Sequence, residues 1–243
     1  MLDPKEERQY EQLRKLGQEL HIPIPEAFWE LEVRDKDGNI IQRHRQRSHS
    51  WTRNAYNLLF SQLAAKDGDD DTFGTGKLNL KDIAGAAKYA AAPICVSVFE
   101  RGSVAVRSCD TGEYFGYRGA AGAGDVGIVV GSGTTAEDFE SYQLAAIIAH
   151  GTLPGELVYV ESEELAASYA ALTMTVPHVR YFNNDSGGDV SVNEVAIYAQ
   201  LASGAANYIH KTMVTRDKLA TTVTIPDTGQ LKVTYTVQLT YPA

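Results

Sequence analysis

The chain has 243 residues, 44% of them hydrophobic and 22% charged, with a formal net charge of −9. This is ordinary globular composition with length enough for a substantial core, and the acidic balance disfavours general affinity for nucleic-acid phosphates. Met1 to Glu7 lacks the apolar core of a signal peptide, and no apolar run approaches the roughly 20 residues of a membrane helix, so folding in a cytosol without membrane contact is expected.

The spacing predicts an N-terminal helix over Asp3 to Leu20. Asp3 suits the N-cap, Pro4 the first helical position, and Glu6 a capping-box-like contact. Tyr10, Leu13, Leu16 and Leu20 form a narrow apolar stripe on an otherwise charged helix. Such a helix is marginal alone in water and must dock. Its own domain and a neighbouring subunit are both open as the dock. Ile22-Pro23-Ile24-Pro25 is extended, because each proline disfavours α for the residue before it, and a stiff segment can hold the helix away from its domain. Residues 1–25 are therefore read as an arm and linker, and 26–243 as a β-sandwich domain.

Trp29 to Val33 alternates as a strand, Asp35 to Asn39 is a turn, and the chain returns from Ile40. Arg43, Arg45 and Arg47 form a basic cluster in an acidic chain, suited either to a solvated strand end or to an acidic patch on another subunit. Ser48 or Ser50 caps an inserted helix over about 48–65, with Trp51, Ala55, Leu58, Leu59 and Leu63 facing the core. Asp67 to Asp71 is an acidic loop. It imitates an EF-hand start, but Thr72 and Leu78 stand where Gly and Glu belong; a solvated loop is expected, with a weak cation site as the alternative.

Short strands then follow: Ile94–Phe99, Ser103–Cys109, Gly127–Gly131, Leu157–Val160, Ala170–Phe182, Val190–Ala199, Tyr208–Thr215 and Thr221–Ile225. The last element is the clearest. Leu231, Val233, Tyr235, Val237, Leu239 and Tyr241 alternate with Lys, Thr and Gln, which puts the apolar set on one face. Pro226 to Gly229 is a turn, with Thr221–Ile225 read as the partner strand. The pattern predicts an all-β, jelly-roll-like sandwich with an N-terminal helical arm and one internal helix. A two-residue turn at Arg101-Gly102 sets Cys95 and Cys109 on opposite sheet faces, and a bulge reverses that parity; two reduced thiols are expected.

Catalytic and cofactor motifs fail on context. Gly122 to Gly127 spells G-x-G-x-x-G but opens onto a strand, and Gly74 to Leu78 lacks the spacing of a P-loop. Gly131-Ser132-Gly133 lacks the nucleophile-elbow pattern, no histidine pair has zinc spacing, and His150 near Glu156 is a pairing any long chain offers. No enzyme activity, cofactor or metal is expected. Glu194 sits among Val192, Val195 and Ile197 and needs a partner; Arg216 and Arg180 are the candidates for a structural ion pair.

Two stretches carry a resemblance. One runs from Gly127-Ile128-Val129-Val130-Gly131-Ser132-Gly133-Thr134-Thr135-Ala136-Glu137-Asp138-Phe139 through Tyr142-Gln143-Leu144 to Ile148-Ala149-His150-Gly151. The other runs from Arg180-Tyr181-Phe182-Asn183-Asn184-Asp185-Ser186-Gly187-Gly188 to Val190–Tyr198. With Ser48–Leu59, Thr215-Arg216-Asp217 and the terminal strand, they resemble structural proteins of tailed-bacteriophage virions. The resemblance spans roughly Leu31 to Tyr241, apart from the middle. It implies a virion component, assembled in the host cytoplasm, that acts by homo-oligomerisation or by docking on other virion subunits in capsid, neck or tail. A receptor- or glycan-binding module of a tail fibre is the alternative, with Tyr114, Phe115 and Tyr117 as its aromatic cluster.

Overall fold

The computed structural model describes residues 2–64, 80–88, 116–203 and 208–241. In chain order the elements are α1 (Pro4–Leu20), β1 (Ile24–Arg34), β2 (Ile40–Arg47), α2 (Arg53–Ala64), β3 (Leu80–Lys81), β4 (Ala87–Lys88), β5 (Gly127–Gly131), β6 (Val158–Tyr159), β7 (Ser168–Ala170), β8 (Thr173–Asn183), β9 (Val190–Ser203), β10 (Tyr208–Ile225) and β11 (Gln230–Thr240). The protein is all-β, with two helices among the described residues and antiparallel sheets in a sandwich-like arrangement. The chain forms two compact units. One takes Met1–His49, Ala149–Asn193 and Leu219–Ala243; the other takes Ser50–Ile148 and Glu194–Lys218.

In the first unit the sheet order is β2-β1-β11-β8-β6, with β7 also on β8. The terminal strand is therefore central. Its alternation places Leu231, Val233 and Tyr235 in the core, against Val33, Leu31 and Trp29 of β1 in register. Trp29 and Tyr235 are in ring contact at 4.4 Å between centroids. Each such side chain contributes about 1.5–3 kcal/mol by leaving water. Beyond Tyr235 the face thins, and Val237 and Leu239 are only half-buried.

Both edges of β11 are occupied, by β1 and β8, so Thr221–Ile225 is not its hairpin partner. That segment is the end of β10, which runs unbroken from Tyr208 and pairs with β9 in a second sheet, β10-β9-β5. The Pro226–Gly229 turn crosses between sheets instead of closing a hairpin. Asn184, fully buried, holds the crossing: its Nδ2 donates to the carbonyls of Ile225 (2.9 Å) and Gly188 (2.8 Å). The Asn184 N–H donates to the Gly229 carbonyl, and the Thr228 N–H donates back to the Asn184 carbonyl.

The same crossing leaves β10 beside β2, and side chains close the gap. Gln42 donates from Nε2 to the Thr222 carbonyl (3.0 Å) and accepts from the Thr224 N–H (3.1 Å), while Gln46 accepts from the Ala220 N–H (2.9 Å). These amides do what a neighbouring strand's backbone does, satisfying groups that an open edge would expose.

Three further expectations change. Ala170–Phe182 is split into β7 and β8 by a two-residue turn in which Ala171 and Leu172 both adopt positive φ (47° and 63°). Ile24 and Pro25 are the first residues of β1, paired with Thr240 and Leu239; the second half of the extended segment expected as a tether is strand. Neither Ser48 nor Ser50 caps α2, because residues before the helix are extended: the Ser48 N–H donates to Ala27, the Ser50 carbonyl accepts from Arg216, and Trp51 bridges Thr215. The helix starts at Arg53 and buries Asn54, Asn57 and Leu58, while Leu59, expected inside, is exposed.

In the second unit β5 pairs with β9 from Gly127↔Tyr198 to Gly131↔Glu194, and all five β5 residues are buried. The G-x-G-x-x-G stretch does lead into this strand, as its context predicted.

His178 lies opposite Tyr235 on the core side of β8. Burial pushes its imidazole down to about 4, so the folded state holds it neutral while the unfolded chain protonates it from about 6.5 downward. Its contribution is fully present above about pH 6.5 and is lost as pH falls toward 4. Unfolding free energies from urea titration should therefore drop across that window, by up to about 3 kcal/mol at its lower end, and His178→Gln should flatten the upper part of the drop, above the range in which carboxylates such as Glu7 and Glu32 begin to protonate. A wild-type midpoint that is flat from pH 6.5 to 4 contradicts this assignment.

Candidate interaction surface

Helix α1 forms as its sequence dictates. Asp3 caps it by accepting from the Lys5 N–H at 2.8 Å, and Pro4 occupies the first turn. The chain turns back through His21 in the left-handed region, and the Ile22 N–H donates to the Gly17 carbonyl (2.8 Å). Gly17 is the buried residue of the helix, packed on Ile24 so closely that a Cβ would lie 2.8 Å from Ile24 Cγ1. A side chain there would lift α1 from the sheet.

The docking face is polar. Arg47 of β2 is almost fully buried, with its guanidinium 3.8 Å from the Tyr10 ring centroid and 4.7 Å from that of Phe28. Its Nη2 reaches Glu7 at 2.8 Å and its Nη1 pairs with Glu26. Arg14 bridges the same two carboxylates, at 3.0 Å to Glu7 and 2.8 Å to Glu26. Two arginines and two glutamates thus form a ring across α1, β1 and β2, with Glu6 a further carboxylate 3.9 Å from Arg47 Nε. Hydrogen bonds from Arg14 and then Arg47 hold the Glu7 carboxyl below its usual range, and burial pushes the Tyr10 phenol up.

Docking through this face turns the leucine stripe outward. Leu13, Leu16 and Leu20 are 41%, 50% and 57% exposed, and Ile22 continues them at 53%. Tyr10 and Arg47 are engaged inside the unit, and Leu13, Leu16 and Leu20 form an apolar ridge. Arg43 and Arg45 lie on the open face of β2, paired across the sheet with Glu32 (3.2 Å) and Glu30 (2.7 Å). Burial raises the Glu32 carboxyl, but Arg34 and Arg43 outweigh that and leave it below its usual range. The basic cluster is therefore largely neutralised within its own sheet.

The buried carboxylate is resolved in the second unit. Glu194 is fully buried, and its Oε2 accepts from Arg216 Nε at 2.9 Å. Three backbone N–H groups complete its shell: Ala146 (2.8 Å), Ala145 (3.1 Å) and Gly133 (3.2 Å). Arg216 in turn donates to the carbonyls of Thr135 (2.9 Å) and Ala136 (3.0 Å). A methyl at Gly131 or Gly133 would overlap the Glu194 carboxylate, which explains the glycines of that turn. The pair is an anchor for the 132–146 loop. Arg180 serves elsewhere: it donates to the Val160 carbonyl (2.8 Å) and lies over the Tyr159 ring.

His150 accepts at Nδ1 from the Tyr159 N–H and Glu156 accepts from the Leu153 N–H, so both hold backbone. Among the described residues no group of three metal-ligating side chains converges, and no helix is long and apolar enough to cross a membrane. Cys95, Cys109, Gly74–Leu78, Asp67–Asp71, Tyr114 and Phe115 lie outside the described residues. Tyr117 is largely buried, which raises its phenol. Sequence patterning located the α1 leucines but missed Glu7, Arg14, Gly17 and Glu26; the first three recur with Tyr10 at helical spacing beside the stripe, whereas Glu26 lies on β1 and carried no such signal.

No protein-family model, curated protein or solved structure matches the chain.

Replacing Glu194 by Ala strands Arg216 in a buried site, an effect of about 3–5 kcal/mol. Urea unfolding of Glu194→Ala should show that loss, and adding Arg216→Met should restore part of it. A loss below about 1 kcal/mol for the single variant would mean that the pair is not the loop's anchor.

Proposed function

We propose that this protein is a structural subunit of a tailed-phage virion, working by self-association or by docking on other virion proteins of the capsid, neck or tail. One observation carries the reading: a helix held to its own sheet by an Arg/Glu ring keeps its leucines in water. A helix that needed only to cover its own domain would turn its apolar stripe inward. An exposed stripe of aliphatic side chains on a firmly docked helix is instead what a partner surface recognises. The resemblance of the Gly127–Gly151 and Arg180–Tyr198 stretches to phage structural proteins supports the same reading.

The test separates contact from folding. Deleting α1 is a poor choice, because it removes Glu7 and Arg14 and leaves Arg47 and Glu26 without half of their ring. Leu13→Ser, Leu16→Ser and Leu20→Ser combined leave the ring intact. Circular dichroism and melting temperature should stay near wild type, since these side chains are already exposed. Sedimentation velocity should show association weakened by roughly 100-fold or more, as three buried leucines contribute about 1.5–3 kcal/mol each. Unchanged association in a folded triple variant rules out this surface.

A further inference from the structure

The second unit carries an aromatic array outside the surface just described. Trp51 precedes α2, Tyr56 lies one turn into it, and Phe139 is brought alongside by the 138–141 turn. The turn is built by Asp138, which accepts from the Glu140 N–H at 2.7 Å, and it is tied to the helix start by the Arg53 N–H donating to the Phe139 carbonyl (2.8 Å). Ring centroids stand 6.2 Å apart from Trp51 to Tyr56 and 5.8 Å from Tyr56 to Phe139. Tyr56 and Phe139 are 41% and 49% exposed, and Trp51 is half-buried.

A polar edge borders the rings. The Arg53 guanidinium lies 5.1 Å from the Phe139 ring centroid and pairs with Glu140. Lys81 Nζ sits 3.1 Å from the other Glu140 oxygen. Lys81 is held there by Asn54, a buried α2 residue that accepts from its N–H (2.8 Å) and donates to its carbonyl (3.0 Å). Donors and an acceptor thus stand beside two partly exposed rings, Tyr56 and Phe139, with the Lys81 backbone fixed by a buried amide.

We propose that Trp51, Tyr56 and Phe139, edged by Arg53, Lys81 and Glu140, form a binding site for a neutral pyranose oligosaccharide. A pyranose ring has an apolar C–H face that covers an aromatic ring, and hydroxyls at its rim. The hydroxyls take hydrogen bonds from the guanidinium and ammonium and donate to the carboxylate, replacing water without stripping the ions of all partners. A protein partner would desolvate the three charged groups together, at a cost that its own charges must offset. A polyanionic glycan is disfavoured by the chain's net charge of −9. The tilts of 56° and 46° between successive rings suit a chain of sugars whose faces turn from one unit to the next. This binding role is additional to assembly and independent of the α1 leucines.

Tryptophan emission reads the site directly. The chain has two tryptophans; Trp29 is fully buried in the core of the first unit, so a ligand-dependent change reports on Trp51. The full chain is titrated with maltohexaose, cellohexaose and chitohexaose. At least one should give saturable quenching. Tyr56→Ala and Phe139→Ala, both at exposed positions, should each weaken it roughly tenfold with unchanged circular dichroism. The triple leucine variant of α1 should titrate like wild type, so failure of assembly and failure of this site are read separately. No saturable change with any of the three sugars overturns the proposal, as does binding that survives both substitutions. Aromatic variants that alter sedimentation while no sugar binds would assign the array to a protein contact and overturn it equally.

Discussion

Arg47 lies between the rings of Tyr10 and Phe28, with Glu7 and Glu26 at its two terminal nitrogens, and the character of the protein's surface follows from that placement. An arginine so deeply buried requires anions at hand, because a lone desolvated charge costs several kcal/mol. Glu26 comes from the strand beside it, but Glu7 comes from α1. The helix is therefore oriented by charge. Once Glu7, Tyr10 and Arg14 face the sheet, helical geometry sends Leu13, Leu16 and Leu20 toward solvent. The ring also buries Phe28 on the outer face of β1, where strand alternation alone would leave it in water.

The two ion-paired sites divide the work differently. The Arg47 ring joins elements from three parts of the chain through side chains on both partners. Glu194 instead gathers backbone: three N–H groups from one loop converge on one carboxylate, and Arg216 takes two carbonyls from the same loop. Most of that loop is exposed, but the peptide groups it turns toward the buried carboxylate, at Gly133, Ala145 and Ala146, need an acceptor there. Glu194 and Arg216 supply acceptor and donor together. Asn184 does the same for the Pro226–Gly229 crossing and for the Gly188 carbonyl of the turn after β8, and Gln42 and Gln46 for the edge of β10. Side chains standing in for a missing strand recur through the fold, and they pair backbone groups where the chain passes from one sheet to the other.

The part played by small residues follows from these contacts. Gly17 lets α1 reach Ile24, and Gly131 and Gly133 make room for the Glu194 carboxylate. None of the three has a backbone conformation that demands glycine. Each is required by proximity, and each sits where a charged anchor draws backbone inward.

Local chemistry was enough to determine the α1 cap at Asp3, the hairpin of β1 and β2 around Asp35–Asn39, and the core face of β11 from Leu231 to Tyr235. In each, the signal lies in residues one to four positions apart, and a period of two or a capping oxygen acts over that range. Glu194's need for a partner was legible too, because a carboxylate among Val192, Val195 and Ile197 has no other resolution. Which arginine answers it was not legible, since Arg216 and Arg180 meet the same electrostatic requirement. Only the pairing of β9 and β10 brings Arg216 to it. The same holds for the partner of β11, which hairpin chemistry at Pro226–Gly229 assigned to Thr221–Ile225 and the sheet assigned to β1 and β8. The outward turn of the α1 leucines was likewise decided in three dimensions. Amphipathic spacing says that a helix has an apolar face, but the partner of greatest local strength chooses which face docks, and here that partner is an arginine delivered by a strand 40 residues from Glu7.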